Sequence, residues 1–306
     1  MNNVPLPSKQ IVPAFGARSH HSGTVMRLQT RFLSHEGGQL AYDDTGGDGA
    51  LVVAVPGMGD LRSEYRALRP RLQAAGYRLV TLDIRGHGET SAEWSDYSAE
   101  AVGRDIVALV RHLGNGPAVV LGNSFAAGSA LWAAQQAPDC VRAAVLLGPV
   151  VRDAKPSWIA RAAMALGFAG PWRVAFWMAF WSSLFPSRKP DDHAQARAAL
   201  ARNLSEPGRM AALEAMIRLS KRRTEAMLAT CRVPALVVMG SRDPDFPQPQ
   251  AEAKWLAGTL GTQLLMVPGA GHYPHLEHPE AVSPALLSFL AALPAAPQAH
   301  RGGSER

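Results

Sequence analysis

The fold is decided by the stretch VVLGNSFAAG at residues 119–128, where an apolar strand pattern runs into Gly-x-Ser-x-Ala and then into a helix of small residues. This is the form of a nucleophile elbow, a strained strand-to-helix turn that lifts a serine hydroxyl above a sheet. Because the backbone doubles back there, the residues two before and two after the serine must be small, and Gly122 and Ala126 meet that demand. The stretch therefore predicts Ser124 as a nucleophile, with the backbone N–H of Phe125 aimed at a forming oxyanion.

Two later strand patterns supply an acid and a base in the chain order Ser, Asp, His that such a site requires. Asp243 follows the apolar stretch 234–240 in a turn rich in Pro and Asp, and His272 follows the stretch 263–267 in a loop. The carboxyl ends of parallel strands meet at one edge of a sheet, so these side chains should converge on the serine. The spacing predicts a triad of Ser124, His272 and Asp243.

A loop that contains two glycines precedes the elbow in the chain. Its sequence PGMGD, at residues 56–60, follows an apolar strand pattern over 51–55. In this arrangement the loop after the third strand supplies a second oxyanion donor, most simply the N–H of Met58. Gly57 and Gly59 allow the backbone to approach the site closely.

Apolar patterns along the rest of the chain alternate between strand and helix periods, which indicates a mostly parallel sheet flanked by helices. An opening hairpin over 29–34 and 39–43 precedes this alternation, and a single helix is expected over 63–75. Residues 149–231, called the cap from here on, have an almost entirely helical pattern. The expected divisions are a flexible tail (1–25), a core in two parts (26–148 and 232–293), the cap (149–231) and a second flexible tail (294–306).

These motifs together resemble the α/β-hydrolase superfamily, in the group with a helical lid inserted after the sixth strand. The resemblance covers roughly residues 29–293. The motifs that carry it occur in the expected order: PGMG (56–59), DIRGHG (83–88), GNSFA (122–126), GSRD (240–243) and GH (271–272). The chain departs from the family at Pro56, where relatives usually carry a histidine that braces the loop, and at Ala126, where many have glycine. The resemblance implies an α/β-hydrolase fold and serine hydrolase chemistry.

Composition agrees with a globular enzyme rather than with a nucleic-acid-binding protein. A chain of 306 residues with 47% hydrophobic residues can bury one large core and a smaller subdomain. The net charge of +6 comes mostly from scattered arginines and from the tails. The one dense basic cluster, at residues 221–223, is interpreted as a solvated helix face. We therefore predict no nucleic-acid partner.

The cysteines and the amino-terminal residues give no sign of a metal, a disulfide or secretion. Cys140 and Cys231 are far apart and have no His or Cys neighbours at metal-ligand spacing. Residues 1–24 lack the apolar segment of a secretory signal, so we predict a cytoplasmic protein. A serine mechanism requires no metal or other cofactor, and we predict none.

The cap carries a broad aromatic face. Phe176 and Phe180 are four residues apart, as are Trp177 and Trp181, so the rings lie along one side of a helix. This face either cements the cap to the core or forms an apolar roof over the serine, and both roles are compatible. With Tyr273, these four residues are our candidate substrate pocket. The stretch 174–185 is too short to cross a bilayer, so we predict no stable membrane insertion, although transient contact with a lipid surface is compatible with it.

Other side chains compete for the catalytic roles. Asp245 lies two residues beyond Asp243 and could be the acid, but the position three residues after Gly240 matches the family pattern. Asp153 follows the sixth strand, where some relatives place the acid. His87 could act as the base, but in the family its loop is structural. We favour Asp243 as the acid and His272 as the base.

The resemblance constrains the substrate less than the chemistry. The GNSF string at 122–125 is similar to that of hydrolases that cleave carbon–carbon bonds in aromatic ring-fission products. Those enzymes usually carry Trp where Tyr273 stands, and they typically recognise a carboxylate through an arginine in the lid. Four cap arginines are candidates for that role: Arg161, Arg173, Arg209 and Arg218.

We therefore predict a serine hydrolase that cleaves an apolar, small to medium ester or lactone through an acyl-enzyme. A carbon–carbon bond hydrolase and an acyltransferase that excludes water remain alternatives. A non-catalytic ligand receptor is less favoured, because such proteins often lose a triad member and this chain keeps all three.

Overall fold

The structure, a computed structural model, describes residues 28–154 and 157–294. The predicted amino-terminal tail (1–25) lies outside the described residues, as does the predicted carboxy-terminal tail beyond Pro294.

The described chain builds one eight-stranded sheet with the strand order β1-β2-β4-β3-β5-β6-β7-β8. Strands β1 and β2 form the predicted hairpin, and β2 pairs antiparallel with β4. All other neighbouring strands are parallel. The strands are β1 (Arg31–His35), β2 (Gly38–Asp44), β3 (Leu51–Val55), β4 (Arg78–Leu82), β5 (Ala118–Asn123), β6 (Val141–Leu147), β7 (Ala235–Gly240) and β8 (Gln263–Val267). The predicted mostly parallel sheet with connecting helices is confirmed.

The α-helices connect these strands and build the cap. They are α1 (Arg69–Ala74), α2 (Ala99–Leu113), α3 (Ala126–Gln136), α4 (Trp158–Phe168), α5 (Arg173–Ser183), α6 (His193–Leu204), α7 (Arg209–Arg218), α8 (Arg222–Leu228), α9 (Pro249–Leu260), α10 (Pro274–Glu277) and α11 (Pro279–Ala292). Helices α4 to α8 all lie between β6 and β7 in the chain.

The prediction of a single helix over 63–75 is wrong. A 3₁₀ segment, Arg62–Ala67, is followed by the separate short helix α1. Pro70 lies in the first turn of α1. Proline has no N–H to donate to a preceding turn and its ring crowds the carbonyl four residues earlier, so it begins a helix rather than continuing one.

The core lies on both faces of the sheet, as buried parallel strands require. Along β5 the side chain of Val120 packs into one apolar cluster, while Val119 and Leu121 pack into the cluster on the other face. This alternation follows from the two-residue period of a strand. Because both faces of the sheet are apolar, the polar side chains of Ser124, Asp243 and His272 lie beyond the carboxyl ends of the strands.

The cap covers that edge. A third apolar cluster joins Trp177 and Trp181 of α5, Leu200 of α6 and Leu213 of α7 to Tyr273 of the core. Within residues 28–154 and 157–294, the helices are all too short or too polar to cross a membrane.

Candidate active site

Ser124 lies in the tight turn between β5 and α3. Its backbone has a φ of +54°, a left-handed conformation that costs a non-glycine residue energy and is tolerated only where the surroundings hold it. A Cβ at Gly122 would lie 2.4 Å from the carbonyl oxygen of Ala126, so only glycine fits there. The N–H of Ser124 donates to the carbonyl of Leu147 at the end of β6, 2.9 Å away. The turn thus holds Ser124 at the carboxyl edge of the sheet.

His272 and Asp243 form a buried pair at the same edge. Nδ1 of His272 lies 2.8 Å from Oδ2 of Asp243, and the other carboxylate oxygen accepts from the N–H of Asp245 at 3.0 Å. With Nδ1–H donating to Asp243, the neutral ring has Nε2 free to accept a proton. The pair has the geometry of a base oriented by an acid.

Two residues that sequence reasoning missed join the serine to this pair. The side-chain amide of Asn123 donates to the carbonyl oxygens of Leu147 and His272, at 3.0 and 3.3 Å. A Cβ at Gly148 would lie 2.7 Å from the carbonyl oxygen of His272 and 3.2 Å from its Nδ1, so glycine there makes room for the backbone and the ring of His272. The position of Gly148, directly after the strand pattern of β6 and before a proline, was the available sequence signal.

Asp245 faces the opposite nitrogen of the imidazole. Its Oδ2 lies 3.5 Å from Nε2 of His272, while Asp243 holds Nδ1. Burial disfavours the imidazolium, but the two carboxylates outweigh it and raise the pKa of His272 to about 9. Burial raises the pKa of Asp245. The potential ligand atoms of these three side chains lie within 4.8 Å of one another, so within the described part of the chain they are the group that could hold a metal ion.

The loop after β3 passes directly beside the serine. A Cβ at Gly57 would lie 2.9 Å from the Cβ of Ser124, so the absence of a side chain there allows the close approach. Among residues 28–154 and 157–294, no acceptor takes the backbone N–H of Met58 or of Phe125. Both N–H groups are therefore available to an added acceptor.

His87 braces this loop. Its Nε2 accepts from the N–H of Gly59 at 2.9 Å, and its Nδ1 donates to the carbonyl of Arg85, also at 2.9 Å. Burial lowers the pKa of His87 to about 4, so the ring is neutral near pH 7 and Nε2 remains an acceptor. His87 reaches the loop from the segment after β4. The sequence predicted a structural role for this segment. It did not predict the partner of His87, because Gly59 lies 28 residues away in the chain.

Buried acidic and aromatic groups lie behind the same loop. Oδ2 of Asp60 accepts from the indole N–H of Trp181 at 2.8 Å, and burial raises the pKa of this carboxyl group. Glu64 lies with one oxygen 3.0 Å from Nε2 of His275. Burial raises the pKa of Glu64 well above its usual range and lowers that of His275 to about 3, so both groups favour their neutral forms. Tyr65 stacks on His275.

The five candidate pocket residues fall into two sets. Trp177 and Trp181 are buried, and the indole N–H of Trp177 donates to the carbonyl of Gly59 at 3.0 Å. Tyr273 is also buried and stacks on Phe185 with ring centres 4.7 Å apart. Phe176 and Phe180 are only half-buried. The contacts of the two tryptophans hold α5 against the loop, whereas the two phenylalanines keep free surface.

The competing acid after β6 lies elsewhere. Asp153 is exposed, and its carboxylate accepts from the hydroxyl of Ser220 at 2.6 Å and from the N–H of Lys221 at 2.7 Å. It therefore ties the beginning of the cap to its end.

The four cap arginines that could bind a substrate carboxylate also lie in other places. Arg173 and Arg218 both contact Glu214. Arg209 is buried, pairs with Glu206 and donates to the carbonyl of Thr90. Arg161 is exposed on α4. Within the described residues, none of the four forms a hydrogen bond or an ion pair with the side chain of Ser124, His272 or Asp243.

Comparison with known proteins places this geometry in a family. The family model described as the alpha/beta hydrolase fold matches residues 50–279. An sn-1-specific diacylglycerol lipase of Mus musculus is 26% identical over 82% of this chain and 85% of its own. A putative non-heme bromoperoxidase of Mycobacterium tuberculosis is 29% identical over 84% of this chain and 99% of its own.

Solved structures agree with this placement. The structure of a thermophilic esterase from Thermogutta terrifontis superposes with a TM-score of 0.70, at 25% identity, and the match covers 86% of this chain and 98% of the esterase. Residues 50–279, which the family model matches, contain the strand ends that carry Ser124, Asp243 and His272. The chain belongs to the α/β-hydrolase fold family.

Proposed function

We propose that the protein is a serine hydrolase that cleaves a carboxylic ester or lactone of an apolar, small to medium substrate. The observation that carries this proposal is the buried contact of 2.8 Å between Nδ1 of His272 and Oδ2 of Asp243, at the sheet edge where the φ of +54° holds Ser124. The names of two relatives, a lipase and an esterase, are those of ester-cleaving enzymes and support the same reaction class.

In the proposed mechanism Ser124 Oγ attacks the ester carbonyl carbon while Nε2 of His272 takes the hydroxyl proton. Asp243 holds the imidazole in the required tautomer and stabilises the imidazolium. The N–H groups of Met58 and Phe125, which have no acceptor among the described residues, donate to the tetrahedral oxyanion. The imidazolium then gives its proton to the leaving alcohol, and an acyl-enzyme remains.

Water completes the reaction by the reverse assignment of roles. His272 takes a proton from a water molecule, the resulting hydroxide attacks the acyl carbonyl carbon, and the proton returns to Ser124 Oγ as the carboxylic acid leaves. An acyltransferase would use an added alcohol or thiol in place of this water.

The charge around the base favours a neutral ester over an anionic ring-fission substrate. The carboxylate of Asp245 lies 3.5 Å from the nitrogen that would face the reacting groups, and it would repel a substrate carboxylate. The cap arginines proposed for binding such a carboxylate are paired with Glu206 or Glu214, or are exposed on α4.

The test is labelling with a fluorophosphonate, followed by turnover of p-nitrophenyl esters, aryl lactones and a ring-fission dienoate. Ser124→Ala should abolish labelling and lower ester turnover by orders of magnitude. Ser129→Ala is the matched control, because Ser129 is buried on α3 and its hydroxyl has no partner within the described residues. Labelling of Ser124→Ala at the parent level would contradict the proposal. Turnover of the dienoate without turnover of any ester or lactone would instead assign the protein to the carbon–carbon bond hydrolases.

Two additions to this assay separate the remaining alternatives. Product analysis with an added alcohol or thiol would reveal acyl transfer. A chelator should leave ester turnover unchanged, since no step of the proposed mechanism uses a metal, whereas loss of turnover would point to the site formed by Asp243, Asp245 and His272.

A further inference from the structure

The cap exposes an unusual amount of apolar surface on α4 and the turn that follows it. The side chains of Trp158, Ile159, Leu166 and Trp172 have exposed fractions of 77%, 61%, 68% and 57%. We call these four residues the α4 face. Within the described residues, the other large hydrophobic side chain of comparable exposure is Phe32, at 52% on β1. Exposed apolar side chains gathered in one place, rather than scattered singly, mark an interaction site.

The sequence of α4 does not suit a helix in water. Arg161 is the only charged residue between Trp158 and Phe168, so the helix is apolar nearly all round. A helix of this kind is normally buried in a core or in lipid. Its carboxy-terminal end packs on α5, where Phe168 contacts Phe176 and Trp177 at ring-centre distances of 5.4 and 6.3 Å. With 11 residues it is far shorter than a spanning helix, so an apolar layer would take it lying flat.

The charge around the α4 face selects the kind of surface it meets. From residue 154 to residue 190 the chain contains no Asp or Glu. Near the α4 face the charged residues of this segment are basic: Arg161 on α4, and Arg173 directly after Trp172, which pairs with Glu214 of α7. Arg161 is exposed and has no ion-pair partner in the described chain. Tryptophan at the boundary of an apolar layer and basic residues beside anionic headgroups are the features of helices that lie on membranes.

A second copy of the chain fits this surface less well. A two-fold dimer built on the α4 face would use the same patch of both chains. It would bring the two copies of Arg161 into one interface, and the segment 154–190 supplies no acidic residue to pair with them. Anionic lipid supplies the apolar layer and the negative charge at once.

We propose that the α4 face docks the protein on a lipid surface with anionic headgroups. The side chains of Trp158, Ile159, Leu166 and Trp172 enter the apolar boundary layer, and Arg161 contacts the headgroups. This docking does not depend on the hydrolase reaction, and the full chain with Ser124→Ala should bind as the parent does.

The test is sedimentation of the full chain with phosphatidylcholine vesicles, with and without phosphatidylglycerol. We expect binding to the mixed vesicles that weakens with salt, and a blue shift of tryptophan fluorescence in the parent on binding. Trp158→Ser combined with Leu166→Ser should weaken binding by at least about tenfold, because burying one such side chain contributes that much. Phe32→Ser, which removes an exposed ring on β1, is the matched control and should bind normally.

Other outcomes would overturn the proposal. They are no binding by the parent, equal binding by the double variant, or equal binding to both vesicle types with no effect of Arg161→Gln. Concentration-dependent self-association of the parent that the double variant loses, without vesicle binding, would assign the α4 face to a second copy. Circular dichroism checks that the double variant is folded, and the exposure of both replaced side chains makes folding the expected result.

Discussion

The core edge and the cap meet at the candidate site, but they are held in different ways. At the core edge, backbone hydrogen bonds and close approaches that only glycine permits fix Ser124 and the pair of Asp243 and His272. In the cap, two indole N–H groups fasten α5 to Gly59 and Asp60 of the loop after β3. The difference indicates that the position of Ser124, Asp243 and His272 depends on backbone geometry, whereas the position of α5 depends on side chains that substitution can alter separately.

The largest expected effect is at the acid. Asp243→Asn should lower kcat/KM by about four orders of magnitude, because an amide at Nδ1 favours the wrong tautomer of His272. Asp245→Asn is the matched control: it makes the same change two residues away, at the Nε2 side of the ring. We expect no comparable loss of turnover near pH 7 from Asp245→Asn. The reverse ranking in steady-state kinetics would assign the acid to Asp245.

The second largest effect is expected at His87, which braces the loop after β3. His87→Ala removes the acceptor of the Gly59 N–H, so Met58 would no longer be held in place. We expect kcat to fall by about 10- to 100-fold with little change in KM, which is less than the loss of a whole oxyanion donor. His87→Gln offers a replacement acceptor and should recover part of the loss, while His112→Ala, exposed on α2, should be neutral. A rise in KM with an unchanged kcat would contradict the role of His87 in holding this loop.

The pH profile tests whether the carboxylate of Asp245 raises the pKa of His272. The base must be neutral, so kcat/KM should rise with pH through the pKa of His272, which lies at about 9. Removing the carboxylate in Asp245→Asn removes one of the charges that favour the imidazolium. The rise should therefore move to lower pH, and activity at pH 7 should increase relative to the plateau. An unchanged midpoint would show that Asp245 does not act on His272.

The smallest effect is expected in the cap. Phe180 is half-buried beside Trp177, with ring centres 5.2 Å apart, and it is one of the two rings of the aromatic face that keep free surface. Phe180→Leu should change the ratio of kcat/KM for octanoate and acetate esters by about fivefold, the lower end of the about 1–3 kcal/mol by which pocket contacts discriminate per methylene. Phe32→Leu is the control. An unchanged ratio in a folded variant would leave the face with a packing role only.

Sequence reasoning reached the fold because local patterns encode it. Two-residue and 3.6-residue periods predicted strands and helices, and the small residues around Ser124 predicted the strained turn. The one broken helix, at Pro70, had a local signal that the apolar pattern outweighed. The roles of Ser124, Asp243 and His272 stay predictions until they are measured.

The sequence by itself determined the order of strands and helices and which residues stand at strand ends, since these depend on neighbours in the chain. Only the tertiary structure decided which carboxylate faces which nitrogen of His272, and that His87 accepts from Gly59. It also decided that the indole N–H of Trp181 donates to Asp60, a residue 121 positions away. Such pairings depend on how packed elements bring distant side chains together, and no local period in the chain records them.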